Sequence, residues 1–228
     1  MISDLSPLSE MRYPGRVIII GLDKTGEKLI TIYAVTGRSP SSQSRRIEYE
    51  GGKARVLPLN TEVLKQGDPE LLIYPSLHIA PFLAVSNGHH TRDIVSHIEP
   101  EQCAVKTLVE GLENWDYEPD KPNYTPRISG CAVNKKRACL SIIKKAADDD
   151  SLRYFYDFPL IPGKGRLITT YAGPDRNPVP SFPESRGQLF YPKKIRKKQQ
   201  RRSTRHWSRP TESLTSGWRS SLFFQRNS

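Results

Sequence analysis

Four polar clusters hold the side chains of this 228-residue chain whose types and spacing suit chemistry. The first, Gly37-Arg38-Ser39 through Ser44-Arg45-Arg46, sets three arginines and four serines beside a glycine. Guanidinium forks and hydroxyls at that density suit a phosphate, because a planar fork meets two oxygens at once; the other reading is a solvated connection between strands. The second is Tyr74, followed by Pro75, either an amphipathic residue at a strand's rim or an acid and hydrogen-bond donor. The third is Ser86-Asn87-Gly88-His89-His90-Thr91. Adjacent histidines in a strand point to opposite faces and no third ligand is spaced to join them, so no metal is expected and Asn87-Gly88 reads as turn chemistry. The fourth, Asp116-Tyr117-Glu118-Pro119-Asp120 followed by Asn123-Tyr124-Thr125-Pro126-Arg127, is a general base with orienting partners or an exposed acidic loop. Pro162-Gly163-Lys164-Gly165 lacks the spacing of a P-loop, and no G-x-S-x-G elbow or cysteine signature supplies a nucleophile.

The elements that must position these clusters are mostly strands. Arg16 to Leu22 and Leu29 to Val35 are apolar β-branched runs across a Gly-containing turn, which is a hairpin pattern. Further strand-like runs are 46–49, 54–57, 71–74, 82–86, 93–98, 128–133, 153–158 and 167–171; 140–147 is ambiguous. From Glu101 to Leu112 the period changes: Ala104, Leu108 and Leu112 recur every four residues, the mark of an amphipathic helix laid against a sheet. The segment 115–127 reads as an ordered loop, and the prolines after Gly173 predict irregular chain. Strands with a mid-chain helix predict an α+β fold, layered.

Charge divides the chain. Residues 1–192 hold 24 basic and 23 acidic side chains, whereas residues 193–228 hold 11 basic and 1 acidic. A basic nucleic-acid-binding globule is thereby excluded; a basic appendage is not. The expectation is a domain over 1–192 and a disordered basic tail over 193–228, with nucleic acid contacted, if at all, through KKIRKKQQRR and the nearby Trp207 and Trp218. Three cysteines without C-x-x-C spacing fit a reducing compartment. No apolar run of membrane-spanning length and no signal-peptide pattern occurs, so a cytoplasmic protein is expected.

Taken in order, Tyr13-Pro14-Gly15-Arg16, Gly37-Arg38-Ser39, Arg45, Tyr74, Ser86-Asn87-Gly88 with His90-Thr91, Asp116-Tyr117-Glu118 and Thr125-Pro126-Arg127-Ile128 resemble the archaeal-type IMP cyclohydrolase family. The resemblance covers roughly residues 12–175, with Ile168-Thr169-Thr170-Tyr171 as a further match. It implies a four-layered αββα sandwich like that of the N-terminal-nucleophile hydrolases, used without self-cleavage. It also implies dehydrative closure of 5-formamidoimidazole-4-carboxamide ribonucleotide (FAICAR) to inosine monophosphate (IMP), with no metal or organic cofactor. By position, Arg45, Tyr74 and Glu118 match the family's catalytic set; Arg16, Arg38, Ser39, Asn87, His90, Asn123, Thr125 and Arg127 are the expected substrate-binding residues. The competing reading is a non-catalytic nucleotide- or RNA-binding protein that kept the fold. Where family members continue with a regular C-terminal helix and strand, this chain has its basic tail, and a homo-oligomer is the expected way to bury a sheet edge.

Overall fold

The hairpin of β1 (Arg16–Leu22) and β2 (Leu29–Val35) is the centre of the first sheet, paired antiparallel with Val17 opposite Ala34. Asp23 fixes its turn: one carboxylate oxygen accepts from the Lys28 amide at 3.1 Å and the other from the Thr25 hydroxyl at 2.9 Å. In this computed structural model, residues 5–59, 62, 72–79, 81–100, 102–183, 188–190 and 221–226 are described. On the other side of β1 lies β10 (Gly165–Thr169), followed by β11 (Gln188–Phe190); β12 (Ser221–Arg226) pairs with β2. The sheet order is β11-β10-β1-β2-β12.

The second sheet is an antiparallel meander of seven strands in chain order. These are β3 (Arg45–Glu50), β4 (Lys53–Pro58), β5 (Tyr74–Ile79), β6 (Leu83–Ser86), β7 (Arg127–Ala132), β8 (Arg137–Lys145) and β9 (Ser151–Pro159). The period-2 alternation of strands sorts their side chains between layers. Ile18, Ile20 and Tyr33 face Val56, Tyr74, Leu77, Val85, Ile128, Leu140 and Ile142 in one core between the sheets. Val17, Ile19 and Leu167 point the other way, against Leu8 of the short helix α1 (Ser6–Ser9).

Helices α3 (Thr91–Ser96) and α4 (Ala104–Gly111) interrupt the meander between β6 and β7 and pack on the outer face of the second sheet. Ile94, Ala104, Leu108 and Leu112 meet Ala84, Cys131, Cys139 and Ile143 there. A single turn, α2 (Pro40–Gln43), precedes β3. The described residues thus form an α+β fold of antiparallel sheets with few helices. None of the helices is long and apolar enough to cross a membrane.

Three expectations are corrected. The run Asp93–Ile98 is not a strand: Ile94 N bonds His90 O at 3.0 Å, closing a helical turn, and Asp93 sits in the first turn where a carboxylate suits the helix dipole. Tyr74 opens β5 rather than ending a strand; Pro75, lacking an N–H, coincides with a register shift opposite Ala54 and Arg55. Within the tail read as disordered, Ser221–Arg226 is a strand on the β2 edge, while 191–220 and 227–228 lie outside the described residues.

Leu108 joins α4 to the sheet and is fully buried. Leu108→Ala is expected to lower unfolding free energy by about 2–5 kcal/mol, seen as a lower urea midpoint at unchanged slope.

Candidate active site

Two strand beginnings place charge inside the protein. Arg16 is the first residue of β1 and Arg45 the first of β3, and both are buried, at 7% and 6% exposure. They line a cleft of about 310 Å³ together with Glu118, which arrives on the loop between α4 and β7 and is 2% exposed. Among the described residues Glu118 is the one carboxylate in the buried class. Two buried guanidiniums thus share one buried carboxylate, an unbalanced arrangement in a medium that penalises unpaired charge.

The surrounding contacts hold this arrangement in place. Arg45 donates from Nε to Ser42 O at 2.7 Å and from Nη2 to Thr36 O at 3.1 Å. Arg16 Nε, by contrast, is buried with no hydrogen-bond partner among the described residues. The Glu118 amide donates to Thr125 O at 2.9 Å, and Arg127 Nη1 stands 3.7 Å from Glu118 Oε1. Burial raises the Glu118 carboxyl above its ordinary range, and Asp120 adds to the rise while Arg16, Arg127 and Arg45 oppose it. Arg45 is pulled below its ordinary value by burial and by Arg16. Tyr74 is buried behind the cleft and shares a 2.9 Å hydrogen bond with the phenol of Tyr33. Burial, then Tyr74, raises Tyr33 well above the usual phenol range, so the Tyr33 hydroxyl stays protonated near neutrality.

At the rim, Arg38 crosses from the α2 side of the cleft. It donates to Asp175 Oδ1 at 3.2 Å, to Arg176 O at 3.1 Å and to Asn123 Oδ1 at 3.4 Å, and lies 5.0 Å over the Tyr13 ring. Ser39 caps α2, its hydroxyl accepting from Ser42 N at 3.1 Å. Asp120 accepts from the Thr125 amide at 2.6 Å and hydroxyl at 2.5 Å, and the same hydroxyl lies 2.7 Å from Tyr171 OH. Burial pushes Tyr171 up to about 12.

The cleft therefore brings together Arg16, Arg38, Ser39, Arg45, Glu118, Asn123 and Thr125 of the expected residues. Arg127 touches it through Glu118, whereas Tyr74, bonded to Tyr33, is not among the residues that line it. Asn87 and His90 stand elsewhere. Asn87 Nδ2 donates to Pro126 O at 3.0 Å and its Oδ1 accepts from Ile128 N at 2.8 Å, so the residue braces backbone rather than turning a hairpin. His90 is fully buried at the start of α3, held neutral by burial and then by Arg127. Among the described residues, no group of three His, Cys, Asp or Glu side chains is placed to hold a metal.

Four contributors were not among the expected catalytic or substrate-binding residues: Tyr13, Tyr33, Asp120 and Tyr171. Tyr13 and Tyr171 fall within the quoted motifs, and here their rings stack at 5.3 Å. Gly15 makes that stack possible. Its φ is +73°, and a Cβ there would lie 2.7 Å from the Tyr171 ring. Gly15→Ala is expected to cost about 2–4 kcal/mol from left-handed strain plus the clash, with loss of the near-ultraviolet circular dichroism of the tyrosine pair.

Comparison with known proteins gives a consistent result. A family model described as "IMP cyclohydrolase-like protein" matches residues 13–194. A protein of Methanothrix thermoacetophila named "IMP cyclohydrolase" is 30% identical over 169 residues, which are 73% of this chain and 78% of that relative. One of the same name from Methanocella arvoryzae is 29% identical over 160 residues, 70% of this chain and 74% of that relative.

Proposed function

This chain belongs to the IMP cyclohydrolase-like family, and from that premise we propose that it closes FAICAR to IMP with loss of water, as a cytoplasmic enzyme of purine nucleotide synthesis. The observation that carries the reading is the cleft with two buried arginines, one buried carboxylate of raised pKa and an unpartnered Arg16 Nε. Such a cleft is complete only with an anion in it, and a ribonucleotide monophosphate is one. The same reading extends the helix–sheet–sheet order of the described residues to the four-layered αββα sandwich. The basic tail supports the rival binding-only reading, but none of the described residues lining this cleft belongs to it.

In this reaction the carboxamide nitrogen attacks the formyl carbon, forming the new ring bond. The carboxamide nitrogen gives up one proton and the formyl oxygen gains one to become a hydroxyl; that hydroxyl then departs with a second proton, lost from the former formamido nitrogen, as water. The amide nitrogen is a poor nucleophile, so the largest gain comes from holding the two groups in attack geometry, worth up to roughly 7–11 kcal/mol. Arg38, Ser39 and Arg16 hold the nucleotide, aided by Asn123 and Thr125. Arg45, with both Nε and Nη2 tied to backbone carbonyls, is a fixed cation for the oxygen where charge grows. Tyr74 supports that cation from behind. Glu118 takes the carboxamide proton as the ring bond forms and passes it to the formyl oxygen, then moves the second proton to the departing hydroxyl, a repeated duty suited to a carboxyl whose pKa lies above the usual range.

The test is an assay of the purified full-length chain with FAICAR, following formation of IMP. Conversion above the uncatalysed rate supports the reading. Glu118→Gln is expected to bind IMP within about threefold of wild type and to lose about 10²–10⁴-fold in turnover. Equal loss of binding and turnover would remove Glu118 from the base role, and a folded wild-type protein that binds IMP without converting FAICAR would favour the binding-only reading. Because Glu118 must be ionised to accept the proton, the rate is expected to rise with pH through a midpoint above that of an ordinary glutamate.

A further inference from the structure

We propose that Trp115 is a positioning residue: with Asp93 as its anchor, its indole holds the Arg127 guanidinium against Glu118. The Trp115 Nε1–H donates to Asp93 Oδ2 at 2.6 Å, so the ring cannot turn without breaking a charge-assisted bond. The Arg127 guanidinium carbon lies 4.8 Å from the centre of that ring, in cation–π range. Arg127 Nε donates to Asp116 O at 2.6 Å, which directs the other end of the fork to Glu118 at 3.7 Å.

Two further features converge on the same side chain. Asn87 bonds the backbone on both sides of Arg127, at Pro126 and Ile128. Gly88 leaves the guanidinium its space: a Cβ at that position would stand 3.0 Å from Arg127 Nη1. Asn87 and His90, expected site residues that do not line the cleft, thus flank the arginine that reaches Glu118, with His90 5.5 Å from the Trp115 ring. Asn87-Gly88 and Trp115-Asp116 are thus parts of one mounting for Arg127.

The consequence is electrostatic. The charged groups acting on Glu118 are Arg16 from β1, Arg45 from β3, Arg127 from β7 and Asp120 from its own loop. Those acting on Arg127 are Glu118, Arg16, Asp116 and Asp120, and burial, its largest influence, disfavours its charge. A guanidinium released from the indole moves away into water, and Glu118 loses one of the cations that restrain its pKa.

The test reads Glu118 directly and does not need the reaction. In protein labelled with carboxyl-¹³C glutamate, the Glu118 signal is assigned by its loss in Glu118→Gln and titrated in wild type, Arg127→Gln, Trp115→Leu and the double variant. Arg127→Gln and Trp115→Leu are each expected to raise the midpoint by roughly one pH unit. The double variant should rise no further than either single, because both remove the same interaction. Trp115→Phe, which keeps an aromatic face but cannot donate to Asp93, should give a midpoint between those of wild type and Trp115→Leu. If Trp115→Leu fails to fold, Asp93→Leu removes the anchor instead and should shift the midpoint in the same direction. A midpoint unmoved in the folded Trp115 or Asp93 variant, or shifts that add in the double variant, would overturn the proposal. Glu118's part in catalysis rests on the function proposed above, whereas the mounting does not: a wild type that fails to cyclise FAICAR while the titrations behave as stated would sink the function alone.

Discussion

Everything in this cleft depends on two guanidiniums kept out of water with too little negative charge to balance them. Arg16 and Arg45 open adjacent parts of two different sheets, and Glu118 is the buried carboxylate they share. Burying such a group is costly unless its geometry and hydrogen bonds are good. The fold meets that demand for Arg45 with two backbone carbonyls and leaves Arg16 Nε open. In the function proposed above, an anionic ligand completes the site and balances that charge. The core shared by the two sheets packs beneath both β1 and β3, the strands that carry these like charges.

Around that centre, structure is layered by function. Tyr33 and Tyr74 form a hydroxyl pair inside the intersheet core, behind the arginines. Asp120, Thr125 and Tyr171 form a second hydrogen-bonded row on the opposite wall, seated by Gly15 and the Tyr13 ring. The loop between α4 and β7 carries Trp115, Glu118, Asp120, Asn123 and Thr125, so one connection of the meander supplies much of the site. Loops tolerate such freight when a stiff scaffold fixes both ends.

Much of the scaffold was legible in the residues. Apolar β-branched runs marked β1 and β2 to the residue, and the four-residue period of Ala104, Leu108 and Leu112 marked α4. The run from Asp93 misled because a short apolar pair, Ile94-Val95, carries no period, and what decides it is the turn closed by His90 and Thr91. Asn87-Gly88 misled for a related reason. Its hairpin signal assumes a local turn, whereas here Asn87 bonds a strand forty residues on. The site residues tied to motifs were legible by type and order. Tyr33 was not, since inside an apolar strand it looks like any core aromatic until Tyr74 is brought beside it. Nor could the arrangement around Arg127 be seen, because Asp93, Trp115 and Arg127 meet only after the helices fold back on the sheet.

The central claim is that the cleft is built for an anion, and calorimetry at one fixed low salt concentration tests it most directly by comparing IMP with inosine, the same ligand without its phosphate. Charge-assisted contacts from two or more guanidiniums predict that IMP binds at least about 100-fold more tightly. Equal affinity for the two would contradict the account, because the buried arginines would then be balanced by something other than the ligand.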